Sequence, residues 1–295
     1  MNISIIGASG FLGKNLISYL LKNTNHSLCA IAPDPENIII DDKYKDRVKI
    51  MKTDAFDFIQ MKIALTGTDV AFYFIHMLNK KNFYDKESMV AQTVGKALKE
   101  TRVKKVIYMS GLGNDNDNLS EHLLSRHNTG KILREYVDQV IEFRASMIIG
   151  KGSASFEIIK DLIHKAPIIL LPQKSTNKTQ PIRVEDVLLY LSSSIDLLNN
   201  DNLIIEIGGP EIMSYQQFLK NYRQFCNKNN PIIVIPFLPE KIAGYFLNFF
   251  TSQQCATIGQ NMINSFKNEM VVTNNMAKNL FPEVNPEKID FLALG

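Results

Sequence analysis

The chain contains little cysteine and no long hydrophobic run. Both observations limit the classes of protein to which it can belong. The 295 residues include three cysteines, Cys29, Cys226 and Cys255. Because these are far apart and odd in number, they form no disulfide framework or metal-binding spacing, which fits a reducing compartment. No apolar stretch reaches the ~18 residues of a membrane-spanning helix. We therefore expect a cytoplasmic protein without a bound metal.

The chain also lacks a strong excess of one charge. Its formal net charge is +3 and no run of Lys or Arg stands out, so nucleic acid is not an expected partner. The apolar start, Met1–Leu12, has no positively charged region of the kind that opens a signal peptide. With 45% hydrophobic residues, the composition is that of a globular protein with a large core, in one or two domains.

A glycine-rich turn near the start of the chain carries the strongest signal. The β-branched run Asn2–Ile6 precedes it, and leucines at helical spacing follow it. Small residues let the backbone approach phosphates, and the N-terminus of the next helix supplies unpaired N–H groups. The pattern predicts a nucleotide pyrophosphate site. Its expected residues are Gly7, Ser9, Gly10, Phe11, Leu12 and Gly13.

Strands and helices alternate through the first half of the chain, which predicts a doubly wound parallel sheet of the Rossmann type. After Ile149 the alternation loosens. We expect a dinucleotide-binding domain over residues 1–150 and a smaller mixed substrate-side lobe over 151–295, partly interleaved with the first. The expected strands in the first half are Asn2–Ile6, Ser27–Ile31, Val48–Met51, Val70–Ile75, Val106–Met109 and Val140–Arg144.

The second expected strand ends close to an acidic residue, Asp34, about twenty residues past the glycine turn. In dinucleotide folds an acid here binds the ribose hydroxyls, whereas an arginine accepts the 2′-phosphate of NADP. No arginine lies at this turn, which slightly favours NAD over NADP. Since Pro35 and Glu36 follow, Asp34 is also a candidate N-cap of a short helix.

Ligands of such folds lie at the carboxyl ends of the strands. The third strand is followed by Asp54 and Ala55, which we expect beside the adenine, although Asp54 also suits a turn cap. The fourth strand ends at Ile75 and His76, which we expect over the middle of the dinucleotide.

Five segments of the sequence carry a resemblance to a known family: GASGFLG, VIYMSG, SRHNTGKILRE, IIGKGSASFEIIK and TQPIRVEDVLLYL. Together they resemble the atypical extended branch of the short-chain dehydrogenase/reductases. That branch binds NAD(P)H and includes NmrA-like regulators and an accessory subunit of respiratory complex I. The resemblance covers nearly the whole chain and implies a Rossmann-type domain followed by a substrate lobe.

The resemblance also implies a catalytic Tyr-x-x-x-Lys pair, which this chain lacks. His122 and Arg126 occupy the matching positions. His122 would exchange a proton with the substrate, and Arg126 would bind a ribose or phosphate oxygen. The alternative is that both lie on an exposed first helical turn. Ser110, at the end of the fifth strand, would lie near the substrate or cap a turn.

Two functions follow from these features. The first is an NAD(P)-dependent oxidoreductase or epimerase-like enzyme acting on an unidentified small carbonyl or hydroxyl compound. The alternative is a non-catalytic dinucleotide-binding redox sensor, scaffold or accessory protein. The expectation of a membrane-surface or protein partner rests only on the apolar stretch Phe237–Phe250 and on the family resemblance. The resemblance also implies that the turn Gln180–Arg183 approaches the nicotinamide end of the cofactor, where Arg183 would meet an anionic group. We expect Asp186 to cap helix Asp186–Leu198.

Overall fold

The computed structural model describes residues 1–198, 201–251, 259–260, 263–264 and 266–294; Cys255 lies outside these ranges. The strands are β1 Asn2–Ile6, β2 Ser27–Ala32, β3 Val48–Lys52, β4 Val70–Tyr73, β5 Lys105–Gly111, β6 Gln139–Ala145, β7 Ile148–Ile149, β8 Ile169–Pro172, β9 Lys178–Thr179, β10 Ile182–Arg183, β11 Leu203–Ile207, β12 Met213–Ser214 and β13 Ile232–Ile235. The helices are α1 Phe11–Asn23, α2 Phe58–Leu65, α3 Phe83–Glu100, α4 Glu121–Arg134, α5 Ala154–Lys165, α6 Val184–Ser193, α7 Tyr215–Phe225, α8 Glu240–Phe250 and α9 Met276–Leu280.

Seven strands form one parallel sheet in the order β11-β6-β5-β4-β1-β2-β3. The direction of winding reverses between β1 and β4, which opens a crevice at their carboxyl ends. The expected doubly wound fold is confirmed. β11 comes from the second half of the chain and pairs with β6, so the later chain completes the sheet.

Helices cover both faces of the sheet because its central strands are apolar on both sides. On one face, α1, α6 and α9 pack against β1, β4 and β6. On the other, α2, α3 and α4 pack against a layer that includes Tyr73 and Tyr108, whose rings meet edge to face with centroids 5.6 Å apart. These two layers fix the strand ends that border the crevice.

Several helix details differ from the sequence-based expectations. Helical spacing in the sequence predicts that Met89 and Leu124 point inward, but both are exposed because each lies one position off its helix's apolar stripe. The sequence pattern predicts a helix over His122–Val137, whereas α4 spans Glu121–Arg134. Helix α6 spans Val184–Ser193 instead of the expected Asp186–Leu198. The sequence Ser214–Gln217 predicts a helix cap, which is confirmed, since the Ser214 hydroxyl accepts from the Gln217 N–H at 3.0 Å.

A second apolar core joins α5, α7 and α8 to the small β8–β13 sheet. Phe246 and Phe250 pack against this core, whereas Phe237 and Phe249 are 94% and 84% exposed. The part of the chain that the structure describes contains no helix long and apolar enough to span a bilayer. This second core forms the side of the crevice that faces the carboxyl ends of the strands.

Candidate dinucleotide and catalytic site

Backbone segments lie very close to each other at the glycine turn between β1 and α1. Gly7 has φ +87°, a conformation that side chains disfavour. A Cβ on Gly7 would lie 3.1 Å from the Phe74 carbonyl carbon, and one on Gly13 would lie 2.6 Å from the Gly7 oxygen. Glycine is therefore required both for the turn and for the contact between α1 and the turn.

Helix α1 begins directly at this turn, with Gly10 as its N-cap. The Gly10 N–H donates to the Gly7 carbonyl at 3.1 Å, and the Lys14 N–H donates to Gly10 at 3.0 Å. In the first turn of a helix, the N–H groups have no acceptor within the helix, and the helix dipole favours an anion there. The residues at this end of α1 therefore fit a dinucleotide pyrophosphate.

Asp34 follows β2 and is exposed, and its carboxylate does not cap the turn in which it lies. It is the N-cap of the short 3-10 helix Pro35–Asn37, but its side chain makes no capping hydrogen bond. Lys52, the register partner of Ala32, lies at the adjacent strand end with its Nζ 3.7 Å from the Glu36 carboxylate. The sequence analysis missed Lys52, because only the sheet register brings it to this turn.

The other expected dinucleotide contact, Asp54, caps its own turn. Its Oδ1 accepts from the Phe56 N–H at 3.0 Å, and its N–H donates to the Gln60 side chain at 3.1 Å. Ala55 beside it is half-buried against the apolar layer under α2 and α3. The capping alternative therefore accounts for the observed contacts of the Asp54 side chain.

Arg126 lies across the ends of two neighbouring strands. Its guanidinium donates to the Met109 carbonyl at the end of β5, and to the Ile75 carbonyl beyond β4 at 3.5 Å. The residue is buried, and its guanidinium carbon lies 5.3 Å from the centroid of the Tyr108 ring. The alternative of an exposed helical turn is therefore wrong for Arg126.

His122 is half-buried one helical turn before Arg126, and His76 faces it across the cleft. Burial, and then the nearby Arg126 charge, lower the pKa of His122 to about 3. His76 is solvent-exposed, and the positive charge of Arg126 disfavours a second positive charge on it. Both imidazoles are therefore neutral near pH 7 and are poor proton donors.

A cleft of about 230 Å³ joins these groups to the glycine turn. Gly10–Gly13 border one end, and Ser110, His122 and Arg126 border the other. Ser110 is buried, and its hydroxyl has no hydrogen-bond partner among the described residues. The structure thus brings the three expected catalytic residues together next to the expected pyrophosphate site. Ser9, Asp34 and Asp54 are outside the lining of this cleft.

The buried carboxylate of Glu87, which was not predicted from the sequence, connects two segments that border the cleft. Glu87 on α3 accepts from the Met77 N–H at 2.5 Å and from the Ser125 hydroxyl on α4. It therefore ties the segment that carries His76 to the helix that carries His122. The available signal was a lone acid on the apolar face of α3, which must have buried partners.

A second buried network holds the loop between β5 and α4. Arg144 on β6 donates to Glu142 at 2.8 Å and to Asp115 at 3.1 Å. His127 lies between the Gly111 carbonyl, 2.9 Å from its Nε2, and Asp115, 2.6 Å from its Nδ1. Arg144, near the end of β6, is therefore paired away from the cleft. Among the described residues no cluster of His, Cys, Asp or Glu side chains could hold a metal ion.

The turn before α6 differs from its expectation. Arg183, not Asp186, is the N-cap of this helix. The Arg183 guanidinium pairs with Asp186 inside the first turn at 3.0 Å and with Glu287 at 2.6 Å. The anionic groups that Arg183 meets in the structure are thus side chains of this chain.

Known proteins resemble this chain in sequence and in fold. Residues 7–147 match the sequence model of a family described as NAD(P)H-binding. This part of the chain is therefore similar to NAD(P)H-binding proteins. The match starts at the glycine turn and ends just after β6, so it includes β2 to β6 of the seven-stranded sheet. The expected resemblance to NAD(P)H-binding proteins is therefore confirmed for residues 7–147.

Solved structures of similar fold cover nearly the whole chain. A nucleoside-diphosphate-sugar epimerase from Staphylococcus aureus has a TM-score of 0.74 at 15% identity, covering 100% of this chain and 99% of its own. A triphenylmethane reductase from Citrobacter sp. with NADP(H) gives 0.75 at 14%, covering 97% of each chain. An NADPH-dependent quinone oxidoreductase from Escherichia coli with NADPH gives 0.73 at 17%, covering 99% and 97%. The TM-scores show a shared fold, and the low identities show no more than that. A search of curated proteins found no match.

Proposed function

We propose that the protein is an NAD(P)H-dependent oxidoreductase acting on a small carbonyl or hydroxyl compound. The observation that carries this proposal is the single cleft running from Gly10–Gly13 to Ser110, His122 and Arg126. A nicotinamide dinucleotide bound on the glycine turn supplies or accepts the hydride. In this proposal residues 1–150 hold the dinucleotide and residues 151–295 provide the substrate side.

Each of the three polar residues has a role that its chemistry allows. Arg126 keeps its positive charge at any physiological pH, so it stabilises negative charge that develops on a substrate oxygen. The Ser110 hydroxyl, without a protein partner, donates a hydrogen bond to the same oxygen. Neutral His122 binds the substrate or the nicotinamide ribose through its ring nitrogens.

The dinucleotide contacts favour NAD in this proposal. The exposed Asp34 carboxylate makes no capping bond, so it is available for two ribose hydroxyls and would repel a 2′-phosphate. Lys52 is the opposing consideration, because its ammonium group lies beside the same turn. Ile75, His76, Asp54 and Ala55 complete the proposed contacts along the dinucleotide.

Calorimetric titration with NAD, NADH, NADP and NADPH, followed by NAD(P)H oxidation with a panel of carbonyl compounds, tests the proposal. We expect binding of at least one dinucleotide near one equivalent and turnover of at least one carbonyl. Absence of binding for all four dinucleotides would overturn it.

One observation favours a second candidate function, dinucleotide binding without turnover. Arg126 is tied to two backbone carbonyls and the pKa of His122 is lowered, so the usual proton-donating pair has no direct replacement. A redox sensor of this kind would bind oxidised and reduced dinucleotide with different affinities and recruit a protein partner. Different affinities without turnover of any carbonyl compound would favour it over the enzyme.

A further inference from the structure

The substrate end of the cleft is mainly apolar. The dinucleotide half contributes Phe74, Leu78, Met109 and Met147, and the second lobe contributes Phe266. Arg126 is the one Lys, Arg, Asp or Glu side chain among the described lining residues, and its guanidinium already donates to two carbonyls. A substrate carrying a diphosphate would place at least two negative charges here with too few cations to pair with them.

A smaller cavity of about 60 Å³ lies behind this cleft in the second lobe. The two spaces share Met147, Ser155, Tyr215 and Phe266 as lining residues. The Tyr215 and Phe266 rings lie 4.1 Å apart between centroids with 34° between their planes, so they stack on each other and form an aromatic wall. The rest of the described lining is largely aliphatic and contains no charged side chain. In the sequence, residues 252–258, which precede the lining residue Gly259, contain no charged residue either.

Among the described residues at the reacting end of the cleft, none is a good acid. His122 and His76 are neutral near pH 7, and the Arg126 guanidinium does not release its proton. The Tyr108 hydroxyl is committed to the Arg126 carbonyl at 2.8 Å. A saturated ketone that accepts hydride becomes a strongly basic alkoxide, which needs such an acid. A conjugated carbonyl becomes a delocalised enolate or phenolate, which water can protonate.

We propose, building on the oxidoreductase function above, that the substrate is an uncharged, hydrophobic conjugated carbonyl compound, an enone or a quinone. Its planar body lies along the Tyr215–Phe266 wall, and its oxygen faces Ser110 and Arg126. For an enone, a hydride from the reduced dinucleotide bonds to the β-carbon and the C=C π-bond breaks. A proton from water then bonds to the α-carbon. The dinucleotide is oxidised, and the enone is reduced to the saturated ketone.

Four acceptors test the substrate class with the intact protein and its preferred reduced dinucleotide. We expect oxidation of NAD(P)H with benzylideneacetone and with menadione. We expect none above background with benzylacetone, the saturated analogue, or in the presence of UDP-glucose, the charged control. Turnover of benzylacetone alone, or conversion of UDP-glucose, would overturn the substrate class while leaving a dinucleotide-dependent enzyme. Failure of every acceptor despite dinucleotide binding would overturn the oxidoreductase proposal itself.

The position of the apolar body is tested at Ser155, which lines both the cleft and the rear cavity. Ser155→Phe fills the passage between them, so we expect the KM for benzylideneacetone to rise about tenfold, since burial of its ring is lost. The KM for cyclohexenone, which lacks the aryl group, should stay near the wild-type value. His164→Phe, on the exposed side of the same helix, is the matched control and should change neither KM. Equal changes for both acceptors in Ser155→Phe would overturn the placement.

Discussion

Tyr108 and Arg126 contact each other at two points. The Tyr108 hydroxyl donates to the Arg126 carbonyl at 2.8 Å, and the Arg126 guanidinium carbon lies 5.3 Å from the centroid of the Tyr108 ring. This pair fixes α4 against β5 where the cleft begins. Burial also raises the pKa of Tyr108, so this tyrosine supports the arginine and is not the proton donor of the site.

Replacing Arg126 should separate its charge from its hydrogen bonds. Arg126→Ala leaves the Ile75 and Met109 carbonyls without their donor, which should destabilise the fold by ~1–3 kcal/mol in urea unfolding. Arg126→Lys keeps the charge but bridges the carbonyls poorly, so it should retain most stability and lose about tenfold in kcat. Lys131→Ala, exposed on the same helix, is the control. Full activity in Arg126→Ala would remove this residue from the proposed site.

The close contact at Gly13 makes a specific prediction about dinucleotide binding. In Gly13→Ala the new methyl would collide with the Gly7 and Ala8 backbone, so α1 must move away from the turn. We expect loss of measurable dinucleotide binding by calorimetry. Gly152→Ala is the control, because Gly152 has a positive φ but a Cβ there meets open space. It should lower stability by ~1 kcal/mol without changing the dinucleotide Kd. Equal binding losses in both variants would point to general destabilisation.

Asp34 and Lys52 should act in opposite directions on the choice of dinucleotide. Removing the carboxylate in Asp34→Ala should weaken NADH binding about tenfold and leave NADPH binding unchanged or tighter. Lys52→Ala should leave the NADH affinity unchanged and weaken NADPH binding. Calorimetric Kd values for both dinucleotides measure this. A drop in NADH affinity in Lys52→Ala, with none in Asp34→Ala, would contradict the assignment of Asp34 to the ribose.

The lowered pKa of His122 makes stability depend on pH. In the unfolded chain its pKa is near 6.5, and in the folded protein it is about 3. Between these values the unfolded state binds a proton that the folded state does not, so stability falls as pH falls through this window. His122→Asn cannot titrate and should lose less stability than wild type between pH 6.5 and 4. Thermal unfolding at several pH values measures the difference. Parallel curves for the two proteins would show that His122 does not carry this dependence.

The sequence predicted those features that depend on local patterns. The glycine turn and the strand alternation are visible in consecutive residues, and the Ser214 cap depends on a residue three positions away. Glu87 and Lys52 were missed because their partners come from other elements through packing and register. Asp186 was misassigned for a similar reason: its carboxylate pairs with Arg183, and one oxygen also accepts from the Glu287 N–H, so it is not free to cap the helix.

The late arrival of β11 has a consequence for the newly synthesised chain. Until residues 203–207 leave the ribosome, β6 is an unpaired edge strand whose residues are all buried in the final fold. Exposed apolar edges of this kind recruit strands from other chains. A truncated or stalled product ending near residue 150 would therefore be prone to aggregate, although it contains the whole glycine turn. Chaperone dependence of synthesis should fall once the seventh strand has docked.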